Sequence, residues 1–166
     1  MVTMTDLEVS MVRLDPMRVA SVRVEGEAPE VEALARLRSW AEPKGLLQDS
    51  RTHPVFGFNN PSPTPDKREY GYEFWIRVDP GVESDAEVEV KNFDGGLFAV
   101  TTCKLSGDPH GSVIEVWHKL VEWVEQSRYK WRKTHELEGL RDPFASEADV
   151  VLDLYLPVEE RSGAMA

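Results

Sequence analysis

The sequence predicts an α+β fold built from two consecutive β-α-β-β repeats related by a pseudo-twofold axis around a central groove. Three observations carry the prediction. Two helical patterns each sit between strand patterns. Tryptophan, glycine, proline and valine landmarks recur in the same order in both halves. The chain of 166 residues is 41% hydrophobic and 30% charged, an ordinary globular composition. That length suits one domain, or two small halves sharing a core.

Residues 11–26, MVRLDPMRVASVRVEG, alternate around Val19, Val22 and Val24 and read as strands interrupted by Pro16. Residues 29–45 read as a helix, with Val31, Leu34, Leu37 and Ala41 on one face, Pro29 in the first turn and Gly45 at the end. Residues 53–61, HPVFGFNNP, form a short strand running into a turn, and NNPSPTPDK is a loop with three closely spaced prolines. Residues 69–78, EYGYEFWIRV, form the next strand. The order then repeats. Residues 87–107 give strands broken at Asp94-Gly95-Gly96, and residues 112–127 give a helix with a Val113, Trp117, Leu120, Val124 stripe. THELEGLRDP supplies the short strand, and residues 149–158, DVVLDLYLPV, the last one. Repeat one spans about 9–80 and repeat two about 86–159 of a single domain covering 1–166, with 160–166 a flexible tail.

The halves superimpose by landmark. Trp40 matches Trp123, Gly57 matches Gly139, Pro61 matches Pro143, and EFWIRV matches DLYLPV. The Trp-to-Gly spacings are 17 and 16, and the Gly-to-Val spacings 21 and 19.

Charge and composition exclude several function classes. A net charge of −11 argues against a nucleic-acid surface, and no helix-turn-helix remains once the repeats are assigned. Cys103 is the only cysteine, so neither an intrachain disulfide nor a CxxC metal site is available. No apolar run approaches a membrane span, and MVTMTDLEVS does not read as a signal peptide, so a cytoplasmic protein without a membrane partner is expected. His135 points away from Glu136 and Glu138 on a strand, so no metal site is expected there, and no cofactor motif is present.

Alternation assigns the candidate site. Val150, Leu152, Leu154 and Leu156 form an apolar face for the second helix, leaving Asp153 and Tyr155 on the other side. By the repeat, Tyr72, Phe74, Ile76 and Val78 face the first helix, and Glu73, Trp75 and Arg77 face the groove. Matching Phe56 to Glu138 places Phe56, Phe58, Glu136, Glu138 and Leu140 on the groove side. The result is aromatic walls (Phe56, Trp75, Tyr155) with carboxylates, a combination suited to a flat, apolar cation. Each ring contact with such a ligand contributes about 0.5–2 kcal/mol. A partly desolvated carboxylate there has reason to carry a raised pKa. The same alternation also fits a sheet face that is simply solvated.

The run VRVEGEAPEVEALARLRSWAEPKGLL, the punctuation of PVFGFNNPSPTPDKREYGYEFWIRV, and the series Trp117, Leu120, Trp123, ELEGLRDP, LYLPV resemble the GyrI-like family, the effector-binding domains of AraC- and MerR-type regulators, as a stand-alone member. The resemblance covers about residues 9–158. It implies the bacterial regulator effector-binding fold and binding of a hydrophobic, cationic small molecule on a buried glutamate, best matched by Glu138 and next by Glu136. Tyr155 matches an aromatic position of the family's last strand and Tyr72-Glu73 a Tyr-Asp pair of its first half, and Tyr155 and Glu73 are candidate ligand-binding residues. Two departures are RDP in place of the family's NDP, and Gly139 where an aromatic is common. Some members resemble hydrolases that open cyclopropanes, which would give Glu138 and Tyr155 catalytic roles, Glu138 activating water. Inhibition of a protein partner is the third class the resemblance implies. Binding without turnover is the expected activity, by a monomer or homodimer.

Overall fold

The computed structural model describes residues 7–49, 51–60, 62, 64–104, 109–140 and 151–161. The strands are β1 (Ser10–Leu14), β2 (Met17–Gly26), β3 (Val55–Asn59), β4 (Tyr70–Val78), β5 (Glu89–Phe93), β6 (Gly96–Lys104), β7 (Tyr129–Trp131), β8 (Leu137–Leu140) and β9 (Val151–Glu160). The helices are α1 (Pro29–Ala41) and α2 (Pro109–Glu125). Residues 105–107 and 149–150 of the predicted strands, and Pro61, Pro143 and Val150, lie outside the described residues. Among the described residues no helix is long and apolar enough to cross a membrane.

The fold is α+β. The chain divides into two compact units, one formed by Pro16–Asp94 and the other by the described residues of Met1–Asp15 and Gly95–Ala166. In the Pro16–Asp94 unit the antiparallel strand order is β3-β4-β2-β5. In the second unit it is β8-β9-β6-β1, with β7 on the far part of β9. Each unit is thus a β-α-β-β core, β2-α1-β3-β4 or β6-α2-β8-β9, plus one edge strand. The edge strand of each core comes from just before the first strand of the other: β5 pairs with β2, and β1 with β6.

In the Pro16–Asp94 unit, α1 starts at Pro29, whose missing N–H and fixed φ suit the first turn. Pro43 tightens the chain into a 3-10 turn that ends on left-handed Gly45. Ala33, Leu37, Trp40 and Ala41 are buried, a stripe of helical period, and the Trp40 indole donates to Asp85 at 2.8 Å. Val31, expected on that face, is 76% exposed, because the buried stripe runs through Ala33 rather than Val31. Tyr70 donates to Glu30 of α1 at 2.8 Å, so the even-numbered residues of β4, Tyr72, Phe74, Ile76 and Val78, share the helix side. Gly57 has a specific reason to lack a side chain: a Cβ there would lie 2.6 Å from the Tyr72 ring.

In the second unit, Ala99, Cys103, Leu120, Val124, Leu152, Leu154, Leu156 and Val158 form the buried core, with Val113, Trp117 and Leu140 packed against it. The α2 stripe is therefore as expected. The chain enters β6 through Gly95, at φ +75°, where a Cβ would run into the Leu14 carbonyl oxygen.

One polar feature organises the Pro16–Asp94 unit. Glu73, 1% exposed, accepts from Ser21 Oγ (2.6 Å), Trp75 Nε1 (2.7 Å), Lys91 Nζ (2.7 Å) and Asn60 Nδ2 (3.0 Å). These donors lie on β2, β4, β5 and just after β3. Burial alone would raise the Glu73 pKa, but the donors, Lys91 foremost, outweigh it and hold the carboxyl at about 2.

Because the folded pKa lies below the ordinary value of 4.5, the stabilisation is complete above that value and is lost as pH falls from there toward 2. The shift corresponds to about 3 kcal/mol. Glu73→Gln is expected to cost about 3 kcal/mol at pH 7 and to flatten the fall in stability between pH 5 and 3. Urea unfolding at several pH values measures both. Gly95→Ala combines a strained φ with a backbone clash and should cost about 3 kcal/mol or more, read as a lowered urea midpoint.

Candidate functional site

The four aromatic and acidic candidates of the Pro16–Asp94 unit come together. Phe56 pairs with Trp75 and Phe58 with Glu73, on the sheet face away from α1. The Phe58 and Trp75 rings meet edge-on at 4.9 Å, and Phe93 lies 5.2 Å from Trp75. Phe56, Phe58 and Trp75 are all buried, and Glu73 already holds an internal cation, Lys91. The expectation of a raised carboxylate pKa fails at Glu73, because four donors converge on it.

In the second unit the register differs from the expected one. Gly57 stands opposite Phe74, whereas Gly139 stands opposite Asp153, the counterpart of Glu73 rather than of Phe74. The β8-β9 ladder is therefore offset by one residue from β3-β4, which exchanges the two faces of β8. Leu137 faces with Tyr155, and Glu138 faces with Leu154 and Leu140 on the α2 side. By register the counterpart of Glu138 is Gly57, not Phe56. Matching the glycines concealed this offset.

Glu138 is thus a half-buried carboxylate on an apolar strand face, beneath an aromatic residue of α2. The Trp117 indole Nε1 donates to its Oε2 at 3.5 Å, the long limit of a hydrogen bond. Cys103, buried on the same face, has its thiol pKa pushed up by burial and then by the Glu138 charge. Glu136 precedes β8 and is exposed at the residue level. Desolvation of its carboxyl, followed by repulsion from Glu138, raises its pKa. Glu136 and Glu138 repel each other, and the Trp117 indole stands beside Glu138.

Tyr155 lies on the opposite face from Glu138. It lines a depression of about 490 Å³ with Asp153, Thr102, Val100, Val12 and Ser10, and Phe98 meets its ring edge-on at 5.8 Å. His135 is exposed, and His53 hydrogen-bonds the Arg77 carbonyl oxygen through Nδ1 at 2.8 Å.

Two functional-looking residues were not singled out from sequence. Trp117 reads as part of a core stripe and of the family pattern, yet a half-buried indole N–H needs an acceptor, and that need is a usable signal. Lys91 reaches Glu73 from β5, and no local pattern announces that pairing.

Comparison with solved structures places the fold. The C-terminal domain of EcmrR matches with TM-score 0.66 at 16% identity, over 93% of this chain and 99% of that one. EcmrR in its complex with DNA matches with TM-score 0.69 at 14% identity over 93% of this chain, which spans only 58% of that longer chain. A hydrolase from Listeria innocua matches with TM-score 0.65 at 12% identity, covering 92% of both chains. SAV2435 bound to tetraphenylphosphonium matches with TM-score 0.54 at 13% identity, covering 92% of this chain and 94% of that one. No curated protein matches. The model of the GyrI-like small molecule binding domain matches residues 7–159, nearly the whole chain, and the protein belongs to that family.

Proposed function

We propose that this GyrI-like domain binds hydrophobic, cationic small molecules and that Glu138 is the electrostatic anchor. The observation that supports this most directly is the half-buried Glu138 carboxylate among Leu140, Leu154 and the Trp117 indole. Desolvation strengthens its attraction for a cation that brings its own apolar surface. Glu136 adds a second negative charge nearer the solvent, and a bound cation relieves the repulsion that raises its pKa. Glu73 serves no anchoring role in this reading, because Lys91 compensates it. The structural neighbour SAV2435, solved with tetraphenylphosphonium, supplies a suitable probe.

A hydrolase reading in which Glu138 activates water and Tyr155 assists requires both on one substrate. Their positions on opposite faces of the β8-β9 ladder count against that pairing.

Titration calorimetry with tetraphenylphosphonium and neutral triphenylphosphine, which carries no strong hydrogen-bond acceptor, tests the proposal. Glu138→Gln should weaken the phosphonium about tenfold or more and the neutral compound little, as expected for loss of a charged partner. Equal losses for both would remove the anchoring role. Glu138-dependent ring opening of a cyclopropane-bearing alkylator would replace binding by hydrolysis.

Affinity for the phosphonium should also depend on pH. Protonated carboxyls do not attract a cation, so affinity should rise as pH increases from 4 to 7, through the raised titration of Glu136. The complex should form with release of protons at the acid end, which calorimetry in buffers of different ionisation heat detects.

A further inference from the structure

One end of the sheet in the second unit carries a depression of about 500 Å³, and none of its lining residues belongs to the site proposed above. Arg13 of β1, Gly96 and Leu97 of β6, and Arg132 just after β7 line it, together with the end of β9. Several contacts seat Arg132 there. Its guanidinium carbon lies 5.3 Å from the centroid of the Phe98 ring. Nε donates to the Val158 carbonyl oxygen and Nη2 to the Leu97 carbonyl oxygen, both at 3.4 Å. Its backbone N–H donates to the Pro157 carbonyl oxygen at 2.9 Å. Gly96 leaves room for the guanidinium, since a Cβ there would lie 2.5 Å from Nη2. The positive group is thus placed before a ligand arrives, and its two carbonyl contacts are long enough to exchange for stronger ones.

Two glutamates also line the depression, and each has a cation beside it. Glu159 pairs with Lys130 at 3.6 Å. Glu160 acts electrostatically on Arg128, which also donates to the Tyr129 hydroxyl at 3.1 Å. Within this group Arg13, Arg132, Lys130 and Arg128 outnumber Glu159 and Glu160, on a chain whose net charge is −11. Leu97, half-buried, and the aliphatic stems of the two lining arginines add apolar surface.

We propose that this depression binds an apolar monoanion, a carboxylate or sulfonate on a small aryl or alkyl body. Arg132 is the seated fork, and Arg13, exposed on the edge strand, is the second charge. A planar guanidinium matches a head group that offers two oxygens. The volume suits a body of small-molecule size. Glu159 and Glu160 at the rim disfavour a doubly charged head such as a phosphate.

Titration calorimetry of the intact domain with naphthalene-2-sulfonate and with neutral naphthalene-2-sulfonamide tests the proposal. The sulfonate should bind about tenfold or more tightly than the sulfonamide, and added salt should weaken the sulfonate alone. Arg13→Gln, a change at an exposed side chain, should weaken the sulfonate about threefold. Arg132→Gln should weaken it about tenfold or more. Neither variant should alter sulfonamide binding. Equal binding of the two compounds, or sulfonate binding unchanged in Arg13→Gln, would overturn the proposal, and the second reading stands even where Arg132→Gln does not fold. In the ¹⁵N-labelled wild-type protein the Arg132 Nε–H resonance should move with the sulfonate and stay in place with the sulfonamide. A resonance unmoved at saturating sulfonate would refute the role of Arg132. Saturating tetraphenylphosphonium should not displace the sulfonate, and displacement would put the anion in a different site.

Discussion

The Glu73 carboxylate is the constraint around which the Pro16–Asp94 unit is arranged. A charge that is 1% exposed has to find its partners inside the protein. It finds them on β2, β4, β5 and the residue following Asn59. Because the donors come from different strands, the network sets more than local geometry. Ser21 and Trp75 are direct cross-strand partners, so the β2-β4 register and the network support each other. Lys91 brings in β5 and supplies a full positive charge to Glu73. The apolar layer of Phe56, Phe58 and Trp75 packs around a charge that is already balanced.

The two glutamates show how similar chemistry is turned to different uses. At Glu73, an internal cation and several donors draw the pKa down to about 2 and make the side chain a structural joint. At Glu138, the neighbours are leucines, a long indole contact and a second carboxylate, Glu136, whose pKa is driven upward. This contrast links the packing of each unit to the role proposed for it.

The helices and most strands were legible because hydrophobic period and turn chemistry are local. Pro29, Gly45 and Gly95 marked real boundaries for identifiable backbone reasons. The three-residue β7 was not legible, being too short for any period to emerge. Face assignment succeeded on β4, where alternation and register agree, and failed on β8. There a one-residue offset moved Glu138 from the side of Tyr155 to the side of Leu154. Alternation separates neighbours into two sets but does not say which set meets the helix. Only the ladder to the next strand does that, and landmark glycines are a poor proxy for it. The donors of Glu73 were hidden for a related reason, since Ser21 and Lys91 are 52 and 18 residues away along the chain.

The exchange of edge strands also gives the two units different histories during synthesis. Pro16–Asp94 is continuous in sequence, so all of its strand partners have been synthesised once β5 has been made. The other unit is split. β1 is made first, but its partner β6 ends about ninety residues later, and the Thr101 hydroxyl that donates to the Glu8 carbonyl oxygen lies 93 positions downstream. Until then the five residues of β1 lack the strand that β6 later provides. Closing so long a loop is entropically slow, so the unit that carries Glu138 is the later of the two to complete.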